Sequence, residues 1–295
     1  MVDLTRVAQQ IRLDLLAVHA SRVLDAADIP HALIKGPTTA RWLYDPPRDY
    51  RDVDLLVPRS RAADAVRALH AADVAHPTAG SLGEEASHSQ LLLSPTGIEL
   101  DLHVTLPSLP LPPANDPDRL WTALADHLVP FDIDATDIPA LDTPARYLVL
   151  ALHALASPDS EQVREDLRRA SERLTPEERT RAESLANNLG LARHLQGALT
   201  LIGRGAVPAL LPADVRLRLA GASSSAIQLE RLSREPLRTL PGALWREAFP
   251  SPGFMRRANP GLPKTRRGLA RAYARRLSGI ARGLPRAVAE WRNAH

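Results

Sequence analysis

The run Arg51-Asp52-Val53-Asp54-Leu55-Leu56-Val57 constrains this chain more than any other stretch. Side chains alternate across a β-strand, so Asp52 and Asp54 share one face while Val53, Leu55 and Val57 share the other. Two acids on one face repel each other unless water or a cation screens them, and hard divalent ions such as Mg²⁺ favour carboxylate oxygens. The run reads as half core and half metal platform.

The 295 residues suffice for two ordinary domains. Aromatic residues make up only 4% of the chain, so its cores must be largely aliphatic, a composition that suits helices packed around a small sheet. There is no cysteine, which excludes a disulfide framework and a thiolate ligand or nucleophile. The first residues mix Asp3, Arg6, Arg12, Asp14 and Arg22 with apolar ones, unlike a signal peptide. No apolar run reaches the roughly 18 to 20 residues of a membrane span. These features predict a cytoplasmic protein without a transmembrane segment. The net charge of +3 is unevenly spread, because Arg256 to His295 hold eleven Lys or Arg and a single acid, Glu290.

In chain order, Leu4, Val7, Ile11, Leu15, Val18, Val23 and Leu24 mark an amphipathic helix. His31 to Ile34 form a short strand ending in the turn Lys35-Gly36-Pro37, and a helix from Pro37 or Thr38 runs to about Tyr44. After the acidic strand a helix carries Ala62, Ala65, Val66, Leu69 and Ala72. A hairpin then joins residues 90–94 to 98–106 through Pro95-Thr96-Gly97. Its second arm alternates, with Ile98, Leu100, Leu102 and Val104 on one face and Glu99, Asp101 and His103 on the other. A proline-rich connector spans residues 107–117, followed by a helix around Leu120, Trp121 and Leu124 and a strand near 129–133. From Thr143 onward the pattern is helical, over 143–156, 160–174, 176–202 and 213–240, and the chain closes with one or two basic helices.

A strand ending in Lys35-Gly36, a strand carrying Asp52 and Asp54, and a hairpin carrying Asp101 resemble the DNA polymerase β type of nucleotidyltransferase fold. More narrowly, Leu33-Ile34-Lys35-Gly36, Arg48 followed by Asp52-Val53-Asp54-Leu55-Leu56-Val57, and Asp101-Leu102-His103 resemble a bacterial nucleotidyltransferase family. Its hallmarks are an L-K-G turn, R-x-x-x-D-x-D-L-L-V and D-L-H. The likeness is strong over residues 30 to 106, and Leu152-His153 with Glu165-Asp166-Leu167 resembles the family's helical region. It implies an α+β chain: a catalytic domain with a small mixed sheet over residues 1–140, a helical domain over 141–255, and a basic helical tail over 256–295. It also implies transfer of a nucleoside monophosphate from an NTP such as ATP to a hydroxyl acceptor, which could be a small molecule, a peptide or protein, or an RNA end. Two Mg²⁺ ions, or Mn²⁺, would be held by Asp52 and Asp54, with Asp101 as the third ligand or as the base on the acceptor. Lys35 and Gly36 would meet the nucleotide phosphates, and Arg48 would touch the triphosphate or pair with an acid.

Some residues keep two readings. Glu99 faces the polar side and rivals Asp101 as third acid. His103 is either a framework residue or part of the site, and His153 is more simply a packing residue than a ligand. The basic tail, with Leu269, Tyr273, Leu277 and Ile280 interleaved, fits polyanion binding, packing against protein, or a solvated end. Two rival functions follow: an antitoxin-like or scaffolding protein that keeps the fold without turnover, and a nucleic-acid-binding protein led by the tail.

Overall fold

The computed structural model describes residues 4–77, 89–106, 109, 116–204, 211–259, 261, 263 and 265–295. The expected connector at 107–117 lies largely outside them. The chain forms two compact units, the first holding Met1–Thr78 and Glu85–Gly205, the second Ala206–His295. The helices expected to follow the catalytic sheet thus fall into both units.

The first unit opens with α1 (Leu4–Ala26), β1 (Ala32–Leu33), α2 (Pro37–Leu43), β2 (Asp52–Leu56) and α3 (Ala62–Ala71). The short β3 (His76–Pro77), β4 (Ser89–Leu93), β5 (Glu99–His103), α4 (Arg119–Ala125), β6 (Leu128–Ile133) and β7 (Thr136–Leu141) follow. The strands make one mixed sheet in the order β3-β4-β5-β2-β1-β7-β6. The alternation in the acidic run has the expected consequence: Val53, Leu55 and Val57 join Leu100 and Leu102 in the core against α1 and α3. The hairpin of β4 and β5 is present in the expected place.

The apolar face of α1 differs from the one read off the sequence. Of the expected stripe, Val18, Val23 and Leu24 do pack into or against the core, but Leu4, Val7, Ile11 and Leu15 are exposed, and Leu13, Leu16, Ala17 and Ala20 are buried instead. Apolar residues occupy more than one side of this helix, and small alanines let it approach the sheet closely, so spacing alone does not choose the buried side. Strand β7 was not expected either. Asp134 and Ala135 adopt positive φ angles of 51° and 58° and turn β6 back into β7 without the Asn-Gly signature that usually marks such a hairpin. β7 then pairs in parallel with β1 through Leu33 and Ala140, which ties the N-terminal and later strands into one sheet.

Four helices complete this unit: α5 (Thr143–Ala156), α6 (Glu161–Arg173), α7 (Pro176–Asn188) and α8 (Ala192–Thr200). Asp142 caps α5 by accepting from the Ala145 backbone, and Thr175 with Glu178 forms a capping box on α7. Apolar side chains surround α5, and it is buried along nearly its whole length. The helix expected over 176–202 is two helices, broken where Gly190 takes a φ of 72° that other residues avoid.

The second unit contains α9 (Ala213–Leu219), α10 (Ser224–Ser233), α11 (Leu240–Ala248), α12 (Pro252–Arg257) and the long α13 (Arg266–Asn293). Its small core joins Leu217, Ala226, Ala287 and Ala294. The basic tail is therefore anchored rather than solvated: Arg276 pairs with Glu247 at 2.9 Å, and Glu290 accepts from Ser223. The packing side of α13 uses Gly268, Ala272 and Ala287, while Leu277 and Ile280 of the expected stripe stay exposed. Among the described residues no helix is long and apolar enough to cross a membrane.

Candidate active site

Strands β2 and β5 run parallel and in register, so that Asp52 lies opposite Glu99, Asp54 opposite Asp101, and Leu56 opposite His103. Two local patterns of period two are thereby merged into one acidic face. Lys35 reaches the same place from the turn after β1. That turn is pressed against β2: the Ile34 backbone donates to the Asp54 carbonyl, and a Cβ on Gly36, whose φ is 66°, would stand 3.2 Å from the Asp52 carbonyl oxygen. Glycine is needed both for the angle and for the approach.

Asp54 is the centre of the face and is 1% exposed. Its Oδ1 takes an ion pair from Lys35 Nζ at 2.8 Å and a hydrogen bond from His103 Nε2 at 2.9 Å. Burial opposes its charge, but the His103 hydrogen bond and the Lys35 ammonium outweigh burial and hold it well below the usual carboxylate range. Asp52 behaves in the opposite way. Burial, then the neighbouring Asp54 charge, push it up to about 6, with Lys35 only partly offsetting them. Asp101 is also raised, by burial first, although His103 pulls the other way. The face carries more negative charge than its own residues neutralise.

Asp54, Asp101 and His103 each present a ligand atom within 4.8 Å of the others, the arrangement a single ion needs. Asp52 is not in this tight trio, although it points to the same side and feels both Asp54 and Asp101. Glu99 sits at the exposed start of β5. His103 is buried and directed at the acids rather than into the apolar core.

Of the two roles open to Arg48, the structure displays the ion pair. Its Nη2 lies 2.6 Å from Asp166 on α6. Tyr44 donates to the other Asp166 oxygen at 2.5 Å, Gln162 donates to the same oxygen at 3.0 Å, and Arg169 stacks over the Tyr44 ring at 4.5 Å. Burial and the Asp166 contact raise the Tyr44 hydroxyl to about 12. His153 on α5 feels Lys35, Asp54, Asp166 and His103, and burial with the Lys35 charge lowers it to about 4, so it is neutral at pH 7. Sequence reasoning gave Asp166 no role, because Arg48 and Tyr44 lie 118 and 122 residues away along the chain. The signals were the Glu165-Asp166-Leu167 likeness to the family's helical region and the alternative of an acid partner for Arg48, which did not say which acid.

Residues 5–206 match a protein family described as "Uncharacterised nucleotidyltransferase". The chain belongs to this family. The nucleotidyltransferase match runs to the end of the first unit and so takes in the sheet, the acidic face and α5 to α8. The enzyme is accordingly a transferase whose general reaction is nucleotidyl transfer. Two solved structures are similar to it at low identity. One is the solution structure of the antibiotic-resistance factor ANT(2'')-Ia, with 16% identity, 61% of this chain and 92% of that one covered, and a TM-score of 0.42. The other is the crystal structure of an antigenic nucleotidyltransferase-like protein from Paracoccidioides brasiliensis, with 14% identity, coverage of 69% and 95%, and a TM-score of 0.39. No curated protein matches the chain.

Proposed function

We propose that this nucleotidyltransferase moves a nucleoside monophosphate from an NTP to a hydroxyl group, with Asp52, Asp54 and Asp101 as the acids that serve divalent ions. The observation that carries the reading is the surplus of negative charge at Asp54, Asp101 and Asp52 on two in-register strands. The donor set fits a divalent cation: the Asp54 and Asp101 carboxylates converge, and Asp52 adds an acid whose own charge is destabilised where it stands. Bound Mg²⁺ or Mn²⁺ would neutralise the triphosphate and favour the ionised form of the acceptor hydroxyl.

The chain's own residues supply the rest. The acceptor oxygen forms a bond to the α-phosphorus, the bond from that phosphorus to the bridging oxygen breaks, and pyrophosphate leaves with the electron pair. Asp101, opposite Asp54 on the paired strands, stands where it can take the hydroxyl proton. Lys35 balances Asp54 and adds positive charge where phosphate oxygens gather, and Gly36 keeps the backbone low enough for that approach. The hydroxyl acceptor belongs to no class that these residues select.

Thermal unfolding with Mg²⁺ and each of the four NTPs tests the reading on the wild type and on the Asp52→Asn/Asp54→Asn double variant. A nucleotide at about a hundred times its dissociation constant adds about 2.7 kcal/mol, a rise of several degrees in Tm. Stabilisation of the wild type alone is expected. Equal stabilisation of both proteins, or of neither, would remove the acids from nucleotide binding.

A second reading concerns the second unit. Arg267, Arg271, Arg275 and Arg282 recur at helical spacing on α13 and are all exposed, which supports contact with a polyanion. Replacing the four with Gln should then abolish a salt-sensitive affinity for RNA, and unchanged binding would discard this reading.

A further inference from the structure

We propose that His103 is a direct ligand of the ion, and that it gives the site a preference for a first-row transition ion, for which Mn²⁺ is the probe, over Mg²⁺. The proposal rests on the nucleotidyltransferase reading and goes beyond it by adding a nitrogen donor to a site otherwise made of carboxylates. Three observations carry it. The His103 nitrogen belongs to the same 4.8 Å trio as Asp54 and Asp101. Its Nε2 lies 2.9 Å from Asp54 Oδ1, and neighbouring ligands of a six-coordinate ion with bonds of about 2.1 Å stand about 3 Å apart. Finally, the ring is held where it is by the sheet, because His103 pairs with Leu56 of β2 and with Ser89 of β4 and is only 2% exposed.

A nitrogen donor changes which ion is favoured. Mg²⁺ is hard, prefers oxygen and gives up water reluctantly, whereas imidazole suits Fe²⁺, Ni²⁺, Cu²⁺ and Zn²⁺, and Mn²⁺, which shares the oxygen preference of Mg²⁺, is the mildest probe of an added nitrogen. A neutral imidazole that ligates through Nε2 carries its proton on Nδ1. The rival role is positioning alone, in which His103 only donates to Asp54 and fixes the carboxylate.

Electron paramagnetic resonance of Mn²⁺ bound to the purified protein separates the two roles, with Mg²⁺ measured by competition. In the wild type, pulsed spectra should show the ¹⁴N modulation of a coordinated imidazole, and Mn²⁺ should bind at least about tenfold more tightly than Mg²⁺. In His103→Gln, which retains a donor for Asp54, the nitrogen signal should vanish and the preference should fall to about threefold or less. The wild-type spectrum needs no variant, so an unstable substitution does not blunt the test. Bound Mn²⁺ without a nitrogen signal, or a preference unchanged in His103→Gln, would make His103 a positioning residue and overturn the proposal. NTP stabilisation that persists in that case leaves the nucleotidyltransferase reading intact. Failure of any divalent ion to bind, with or without NTP, would overturn both.

Discussion

Two buried carboxylates in the first unit invite comparison. Asp54 on β2 is 1% exposed and pairs with Lys35 at 2.8 Å, and Asp166 on α6 is 4% exposed and pairs with Arg48 at 2.6 Å. Each also accepts hydrogen bonds from further side chains, His103 in one case and Tyr44 with Gln162 in the other. By burial and pairing they are alike. They differ in what surrounds them: Asp54 stands among Asp52, Asp101 and Glu99, whereas Asp166 has Arg48 in contact and Arg169 over the adjoining tyrosine ring. A buried ion pair on its own is weak ground for a function. Negative charge that the local cations do not neutralise is better ground, and Asp52, pushed to about 6, displays it.

The sharpest way to break this contrast is to neutralise each carboxylate in turn. Asp54→Asn keeps the volume and should lower the nucleotidyl transfer rate about a thousandfold, roughly 4 kcal/mol of barrier. Its unfolding free energy should also fall, by about 1 to 3 kcal/mol, because Lys35 and His103 lose the charge they hold, although Lys35 still has acids close by. Asp166→Ala should separate stability from turnover. It leaves Arg48 and Tyr44 without their partner and should cost about 3 kcal/mol of stability, while the transfer rate stays within about tenfold. Urea midpoints and single-turnover rates on the same preparations check both. A lethal effect of Asp166→Ala on transfer with no loss of stability would mean that the two centres are one site.

His153 lies within electrostatic reach of both carboxylates, and its pH response sharpens the comparison at an intermediate scale. Its folded-state value of about 4 lies below the ordinary 6.5, so the folded protein binds this proton more weakly than the unfolded chain does. The associated stability is fully present above about pH 6.5 and is lost as pH falls toward 4. Over that window the loss should reach on the order of 2 to 3 kcal/mol. His153→Gln removes the titration, so its unfolding free energy should fall less than that of the wild type between pH 7 and 4.5. Parallel curves for the two proteins would show that the ring is protonated at no cost.

The half of this comparison centred on Asp54 was legible in the sequence, and the half centred on Asp166 was not. A strand repeats every two residues, so Asp52 with Asp54, and Asp101 with His103, declare a shared face locally, and one parallel pairing merges them. Lys35 was legible as a turn lysine, although only the fold brings it to Asp54. Asp166 meets Arg48 and Tyr44 across more than a hundred residues, and nothing in helix periodicity encodes that meeting. The same limit hid β7, whose turn at Asp134-Ala135 lacks the usual residues, and misplaced the buried side of α1, where alanines do the packing. In each miss a long-range contact or a small side chain decided the outcome.

The smallest expected effect concerns Tyr44, and it tests whether the Asp166 centre is a clamp on the chain leading into β2. Tyr44 and Arg48 flank the segment between α2 and the acidic strand, and both end on Asp166. Tyr44→Phe retains the ring under Arg169 and removes only the hydroxyl, so Asp166 keeps Arg48 and Gln162. The lost hydrogen bond to a charged acceptor should cost about 1 to 2 kcal/mol. If the segment is a clamp, that cost appears as faster hydrogen exchange confined to residues 44–51, with the transfer rate unchanged within about twofold. Exchange that quickens instead at Asp52 to Leu56, together with a slower rate, would show that the order of the acidic strand depends on the Asp166 centre, and the two carboxylates would then have to be treated as a coupled pair.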